Sequence, residues 1–176
     1  MKRQTSEVDI EVLMGEGGKI ETGDRVLTHL LQTFFFYMDR KVTVQAHGDL
    51  PHHLWEDIGI TLGEEMASQI DRQQIARFGN SVMPMDDALV LTAVDISRPY
   101  LCFEVECRDN ESGFSEVLVK EFLSAFTSTL PATIHVHRLS GKNSHHLLEA
   151  VFKALGASFK QALKSSNQIQ STKGDL

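Results

Sequence analysis

The 176-residue sequence predicts an α+β fold, an internally duplicated two-layer sandwich of sheet and helices whose halves each have the order ββαβα. Two observations predict it. Short segments in which apolar and polar residues alternate are followed by longer segments whose apolar residues recur at helical spacing, and this order repeats along the chain. The second half then repeats the order of the first, and the pattern HHxxE follows a predicted strand in both. Because neither half has an evident partner face of its own, we expect one fused domain.

The first half begins with two short strands around the glycine-rich turn GEGG, at 8–14 and 19–22. An apolar helix over 26–38 and a β-branched strand over 42–48 follow. Pro51 then suits the first turn of a helix over 52–69, because its missing N–H is not needed there. The apolar residues of that helix recur at a four-residue step that fits one buried face, at Leu54, Ile58, Leu62 and Met66.

The second half begins with a strand pair, 88–97 and 100–107, separated by Arg98 and Pro99. A helix, a strand and a long amphipathic helix follow, at 115–126, 132–140 and 144–163. Ser144 is the predicted N-cap of the last helix. The chain is therefore expected to be a single domain, 1–176, in which two repeats of about 5–72 and 84–164 meet at a seam near 72–84 and a polar tail occupies 165–176.

Composition excludes several classes of function. The net charge of −7 leaves no basic face for nucleic acid or an anionic membrane. No apolar run is long enough to span a membrane, and the opening MKRQTSEVDIEV lacks the apolar stretch of a secretory signal, so a cytoplasmic protein is expected. Cys102 and Cys107 lie five apart in one predicted strand and point to opposite faces, so we expect two ordinary reduced thiols.

The eight histidines cluster in a way that indicates metal binding. In each HHxxE motif the glutamate lies on the same side of a helix as both histidines, while adjacent imidazoles diverge by about 100° and suit two different ions. His29 on the first helix and His135 on a strand add two more imidazoles. The predicted ligand set is His29, His52, His53, Glu56, His135, His145, His146 and Glu149.

Eight ligands shared by two ions leave two open positions on each octahedral metal for substrate or water. Imidazole and carboxylate without thiolate suit manganese, iron or cobalt, and zinc also accepts these ligand types. Manganese is the preferred interpretation, although the pattern alone does not force it. His47 and His137 have no supporting motif and are interpreted as ordinary strand residues.

Four motifs, in this order, resemble a known family: HHLWEDIGITLGE, ARFGNSVMPMDDALVLTAVDIS with RPYL, GKNSHHLLEAVFKAL and the terminal STKG. They are similar to those of imidazoleglycerol-phosphate dehydratase, a lyase of histidine biosynthesis, and the match covers nearly the whole chain. The resemblance implies a fold like that of ribosomal protein S5 domain 2. It also implies dehydration of imidazole glycerol phosphate to imidazole acetol phosphate, a phosphorylated imidazole substrate and a homo-oligomeric shell of 24 subunits.

The resemblance also implies roles for single residues. The eight predicted ligands would hold two manganese ions per site, between subunits. Glu149 would serve as catalytic base, with Asp86 as a supporting acidic residue. The residues that match those in contact with the substrate, most of them with its phosphate, are Glu7, Arg77, Arg98, Lys153, Ser171 and Lys173. Metal coordination would favour the imidazolate form of the substrate ring, which can expel the hydroxyl.

The sequence departs from the family at four places. Thr28 replaces an aspartate that would orient His29, Tyr37 replaces a histidine, Pro51 alone stands for a longer loop, and Ser97 replaces a glycine before Arg98. Two alternatives therefore stay open. One is a divergent paralogue that keeps the metals but acts on another imidazole-containing phosphate or is inactive. The other is a non-catalytic metal-binding oligomer, which would not require the phosphate-binding residues.

Overall fold

The computed structural model describes residues 1–15, 17–168 and 170. The elements of the first half are β1 (Lys2–Gln4), β2 (Val8–Met14), β3 (Ile20–Glu21), α1 (Arg25–Met38), β4 (Val42–Gly48) and α2 (Pro51–Gln69). One turn of 3-10 helix, Arg72–Gln74, leads to the second half. Its elements are β5 (Phe78–Met85), β6 (Ala88–Asp95), β7 (Tyr100–Glu104), α3 (Glu116–Thr129), β8 (Thr133–Ser140) and α4 (Ser144–Ala162).

The two halves have the same sheet topology. The strand orders are β1-β2-β4-β3 and β5-β6-β8-β7, and in each sheet only the last pair is parallel. Burial alternates along the central strands, as in β6, because one face of each sheet packs on helices. The expected α+β fold with two similar halves is confirmed.

The helices join the halves. Each half is a two-layer sandwich, and the halves meet helix to helix, α1 against α4 and α2 against α3. The centre of this contact is a cluster of aromatic rings in edge-to-face and stacked arrangements, which stabilise a core beyond the area they bury. Its members are Phe34, Phe122, Phe126, Phe152 and Phe159.

Glycines set the distance between the paired helices. A Cβ built on Gly63 of α2 would lie 2.6 Å from the carbonyl oxygen of Phe126 on α3. A Cβ on Gly156 of α4 would lie 2.4 Å from the carbonyl oxygen of Phe34 on α1. Both helix pairs therefore approach backbone to backbone, which places the first turn of α4 close to α1.

Polar side chains fix where the helices begin. Asp24 caps α1 by accepting hydrogen bonds from the amides of Val26 and Leu27, and its second oxygen accepts one from the indole of buried Trp55. The predicted cap of α4 was wrong by one position. Asn143, not Ser144, is the N-cap, and its side chain accepts a hydrogen bond from the amide of His146.

Two strands were missed. β1 has only three residues, all of them polar, and β5 lies in the segment assigned to the seam. β5 is an edge strand that contains Pro84, and proline is tolerated there because an edge strand has N–H groups without a ladder partner. β7 ends at Glu104, so Cys107 lies outside the strand expected to hold both cysteines. Among the described residues no helix is long and apolar enough to cross a membrane.

Candidate metal centre

Three predicted ligands meet where α1 packs on the first turns of α4. The Nε2 atom of His29 lies 2.8 Å from Oε2 of Glu149, and Nε2 of His145 lies 3.1 Å from the same oxygen. His29 and Glu149 are 120 residues apart in sequence. The ligand atoms of all three lie within 4.8 Å of one another. Two imidazole nitrogens and a carboxylate oxygen in such a triangle are a donor set for one face of a divalent ion.

Glu149 is ionised in this cluster. Burial opposes its charge, but hydrogen bonds with His29 and Lys153 outweigh burial and lower its pKa to about 2. The Lys153 ammonium lies 2.9 Å from Oε1, the carboxylate oxygen that does not face the histidines. An ionised carboxylate with one oxygen directed at two imidazoles has the charge that metal binding requires.

Carboxylates hold the other ring nitrogens of the second motif. Oε2 of Glu111 lies 3.2 Å from Nδ1 of His145, which leaves Nε2 directed at Glu149. Asp87 lies 2.7 Å from Nδ1 of His146 and raises the pKa of that ring. Such outer carboxylates fix the orientation of metal-binding histidines. Asp86, predicted to support catalysis, lies 3.5 Å from Nε2 of His146.

The first motif lies on α2 and is more exposed. Asp49 lies 2.8 Å from Nδ1 of His53 and raises its pKa, and Glu7 lies 3.8 Å from the same atom. The rings of His52 and His53 are 4.0 Å apart. Glu7, predicted to contact the substrate, is thus beside a predicted ligand.

The two motifs are not equivalent, although their sequences match. His29 is the fifth residue after the N-cap of α1, and the fifth residue after the N-cap of α3 is Lys120. Glu56 of the first motif is exposed and lines a shallow surface with Lys120. The position that holds an imidazole on α1 therefore holds an ammonium on α3.

His135 lies apart from these clusters, on β8. Its partner in the parallel ladder is Cys102, and its ring is 5.6 Å from that of Tyr100. Ligand atoms of Cys102, His135 and His137 lie within 4.8 Å of one another. In the part of the chain that the structure describes, three of the eight predicted ligands converge on one point, and His52, His53, Glu56, His135 and His146 lie elsewhere.

The predicted phosphate-binding residues include one well-fixed arginine. Nε and Nη2 of Arg77 donate to the two oxygens of Asp95, at 2.6 and 3.0 Å, and Nη1 donates to the carbonyl oxygen of Gln170. Ser97 also donates to Asp95, at 2.8 Å. Arg98 is exposed and close enough to lower the pKa of Asp95 by its charge. Ser171 and Lys173 lie outside the described residues.

Sequence reasoning missed the carboxylates that hold the functional side chains. Asp49, Asp87, Asp95 and Glu111 belong to no metal or phosphate motif, and three of them reach their partners across long sequence separations. Thr28, expected to replace an aspartate that orients His29, instead hydrogen-bonds Thr22 at 2.9 Å. Of these four carboxylates, only Asp49 could have been recognised from the sequence, because it lies four residues before His53.

Comparison with known proteins decides the family. The model of the imidazoleglycerol-phosphate dehydratase family matches residues 22–159. The imidazoleglycerol-phosphate dehydratase of Pyrococcus furiosus is 50% identical, with 100% of both chains covered. The chain belongs to the imidazoleglycerol-phosphate dehydratase family. The enzyme of that name from Dictyoglomus thermophilum is 41% identical, with 100% of this chain and 97% of the relative covered.

Solved structures of the family have the same fold. The crystal structure of the P. furiosus dehydratase in complex with (S)-C348 aligns with a TM-score of 0.96 at 50% identity, covering 100% of both chains. That of the Staphylococcus aureus dehydratase aligns with a TM-score of 0.85 at 34% identity, covering 94% of this chain and 98% of the other. The expected class, a dehydratase of histidine biosynthesis and hence a hydro-lyase, is confirmed, and the family is metal-dependent.

Proposed function

We propose that this chain converts imidazole glycerol phosphate to imidazole acetol phosphate with two divalent metal ions, manganese being the preferred one. The observation that carries the proposal is the convergence of His29, His145 and Glu149, from opposite halves of the chain, on one point. Bound metal would stabilise the deprotonated imidazole ring of the substrate. A soluble phosphorylated intermediate of this kind fits a cytoplasmic enzyme.

The remaining ligands point to assembly. His52, His53, Glu56, His135 and His146 lie away from the triangle, and three donors leave a metal site incomplete. We therefore propose that neighbouring copies supply the missing donors within a homo-oligomeric shell of 24 subunits. The carboxylates beside His53 and His146 support this assignment, because Asp49 and Asp87 each hold Nδ1 of one ring, as partners of metal-binding histidines do.

Substrate binding falls to the cationic side chains and Glu7. The guanidinium groups of Arg77 and Arg98 are assigned to the phosphate dianion, and Ser171 and Lys173 of the tail, 165–176, are assigned to the same group. The hydrogen bond from Arg77 to the carbonyl oxygen of Gln170 supports this assignment, because it joins a described residue of the tail to the phosphate-binding arginine.

Proton transfer falls to Glu149, with Asp86 supporting the histidine beside it. To accept the carbon-bound proton, Glu149 first gives up its ion pair with Lys153. The ammonium of Lys153 is then free to approach the phosphate.

The first test is turnover. The purified protein is incubated with imidazole glycerol phosphate and manganese, and imidazole acetol phosphate is followed with and without a chelator. Turnover that the chelator abolishes supports the proposal and shows that Thr28, Tyr37 and the short loop at Pro51 are tolerated. A folded, metal-loaded protein without turnover contradicts it and favours the divergent paralogue.

A second test separates an enzyme from a metal store. Arg98→Ala is expected to abolish or greatly reduce turnover with metal content unchanged, because a store does not need a phosphate-binding guanidinium. Arg108→Ala is the matched control, since Arg108 is exposed and pairs with exposed Glu106. Unchanged turnover in Arg98→Ala would contradict its assigned role.

For the assembly, dissociation of the shell is expected to abolish turnover, and an active isolated subunit would overturn the shared site.

A further inference from the structure

The outer face of β7 and β8 carries a second group of metal-binding side chains. Because these strands are parallel and in register, Cys102 lies beside His135 and Glu104 lies beside His137, on the side of the sheet opposite buried Ile134 and Val136. The ligand atoms of Cys102, His135 and His137 all lie within 4.8 Å of one another. One thiol and two imidazoles thus meet without any change of backbone.

A fourth donor is adjacent. Glu104 approaches Cys102 Sγ to 3.9 Å and His137 Nδ1 to 3.2 Å. The neighbours of the two histidines on β6 are Ala93 and Leu91, so no cation from that strand competes with a bound ion. Strands hold ligands more rigidly than loops do, which lowers the cost of assembling a site.

We propose that Cys102, His135 and His137, with Glu104 as fourth donor, bind a thiophilic divalent ion of the zinc class. One thiolate, two imidazoles and one carboxylate are the ligand types that zinc takes in tetrahedral sites. Manganese prefers oxygen and imidazole donors, so this site discriminates against the metal proposed for catalysis. The discrimination comes from Cys102, a residue outside every predicted ligand set.

The site competes with catalysis for His135. This consequence rests on the proposed function, in which His135 is a ligand of the dimetal centre. A neutral imidazole has one nitrogen lone pair for a metal, so zinc bound at Cys102 withdraws His135 from catalysis. Zinc in excess is therefore expected to lower turnover of the manganese-loaded enzyme in wild type more than in Cys102→Ser.

Cobalt titration tests the site without reference to turnover. Cobalt bound by a thiolate gives an intense sulfur-to-metal charge-transfer band in the near ultraviolet, whereas cobalt at the proposed catalytic ligands does not, because those are imidazoles and carboxylates. The band is expected in the wild-type oligomer and in Cys107→Ser, and zinc is expected to abolish it by displacement. It is expected to be absent in Cys102→Ser.

If Cys102→Ser is poorly folded, His137→Gln provides a second variant that tests the same site. This variant is expected to weaken apparent cobalt affinity, read from the same band, by about tenfold or more, as loss of an imidazole ligand does. A wild-type protein without the band, or a band that persists in Cys102→Ser, overturns the site. The absence of turnover without zinc would instead contradict the proposed function, so the two failures are distinguishable.

Discussion

Asp95 receives both the Nε and the Nη2 hydrogens of Arg77, and it faces the charge of Arg98 as well. Arg77 has a φ of 69°, a left-handed conformation that costs a non-glycine residue free energy. Its backbone is strained, so the position of its guanidinium is fixed by the two hydrogen bonds of the ion pair with Asp95. Because Asp95 pairs with one arginine assigned to the phosphate and is within the electrostatic range of the other, it is positioned to set the geometry of Arg77.

Asp95→Asn is expected to raise the KM for imidazole glycerol phosphate by about tenfold or more while kcat and metal content change little. A hydrogen bond between charged groups contributes about 1.5–3 kcal/mol, and its loss frees Arg77 to move. Steady-state kinetics with metal analysis measures both quantities. Glu106→Gln, which breaks an exposed ion pair with Arg108, is the matched control and leaves KM unchanged. A fall in kcat alone would contradict a phosphate-positioning role.

Asp95 also gives the stability of the protein a pH dependence. Burial opposes its ionisation, but hydrogen bonds from Arg77 and Ser97 lower its pKa below the ordinary value of 3.8. The stabilisation is therefore present above that value and is lost as the pH falls through the lower pKa of the folded state. Denaturant unfolding is expected to find Asp95→Asn less stable than wild type at pH 7, with the difference shrinking below about pH 4. A difference that grows in acid would contradict this assignment.

The carboxylates behind the histidines are expected to control metal affinity. Asp87→Asn and Glu111→Gln should each weaken manganese binding by about 10- to 100-fold, because the ring they orient is then free to turn. Glu104→Gln is the matched control. It removes the same type of contact from His137, which is outside the proposed manganese ligands. Calorimetric titration of the metal-free oligomer measures the affinities, and equal losses in all three variants would argue against specific orientation.

The sequence predicted the fold well because its signals were local. Apolar periodicity located α1, α2 and α4 to within a few residues, and the repeated motif revealed the duplication. β5 was missed because Gly79 and Pro84 weaken a strand signal. Both residues are tolerated because β5 lies at the edge of the sheet, and that position is not visible in the sequence of the strand. Local pattern is insufficient where a neighbouring strand decides the outcome.

The site was predicted by residue type more than by arrangement. The HHxxE motifs predicted matching roles, but His29 contacts Glu149, whereas the equivalent position on α3 is Lys120, which shares only a shallow surface with Glu56. The difference depends on which helices pack against each other, and the residue spacing within either motif does not reveal that packing. The contact of Asp87 with His146 depends in the same way on a hairpin turn reaching the start of α4.

The glycines between the helix pairs give a test of the packing that brings His29 to Glu149. Gly156→Ala would gain about 1 kcal/mol from helix propensity, but its Cβ would meet the backbone of α1, and overpacking costs about 1–3 kcal/mol. Lower stability in urea is therefore expected, together with weaker metal binding, because α1 carries His29. Gly63→Ala, at the α2–α3 contact, is expected to lose stability while the His29 cluster keeps its geometry. Ser124→Ala on the exposed side of α3 controls for propensity, and a Gly156→Ala protein as stable as this control would contradict the close approach.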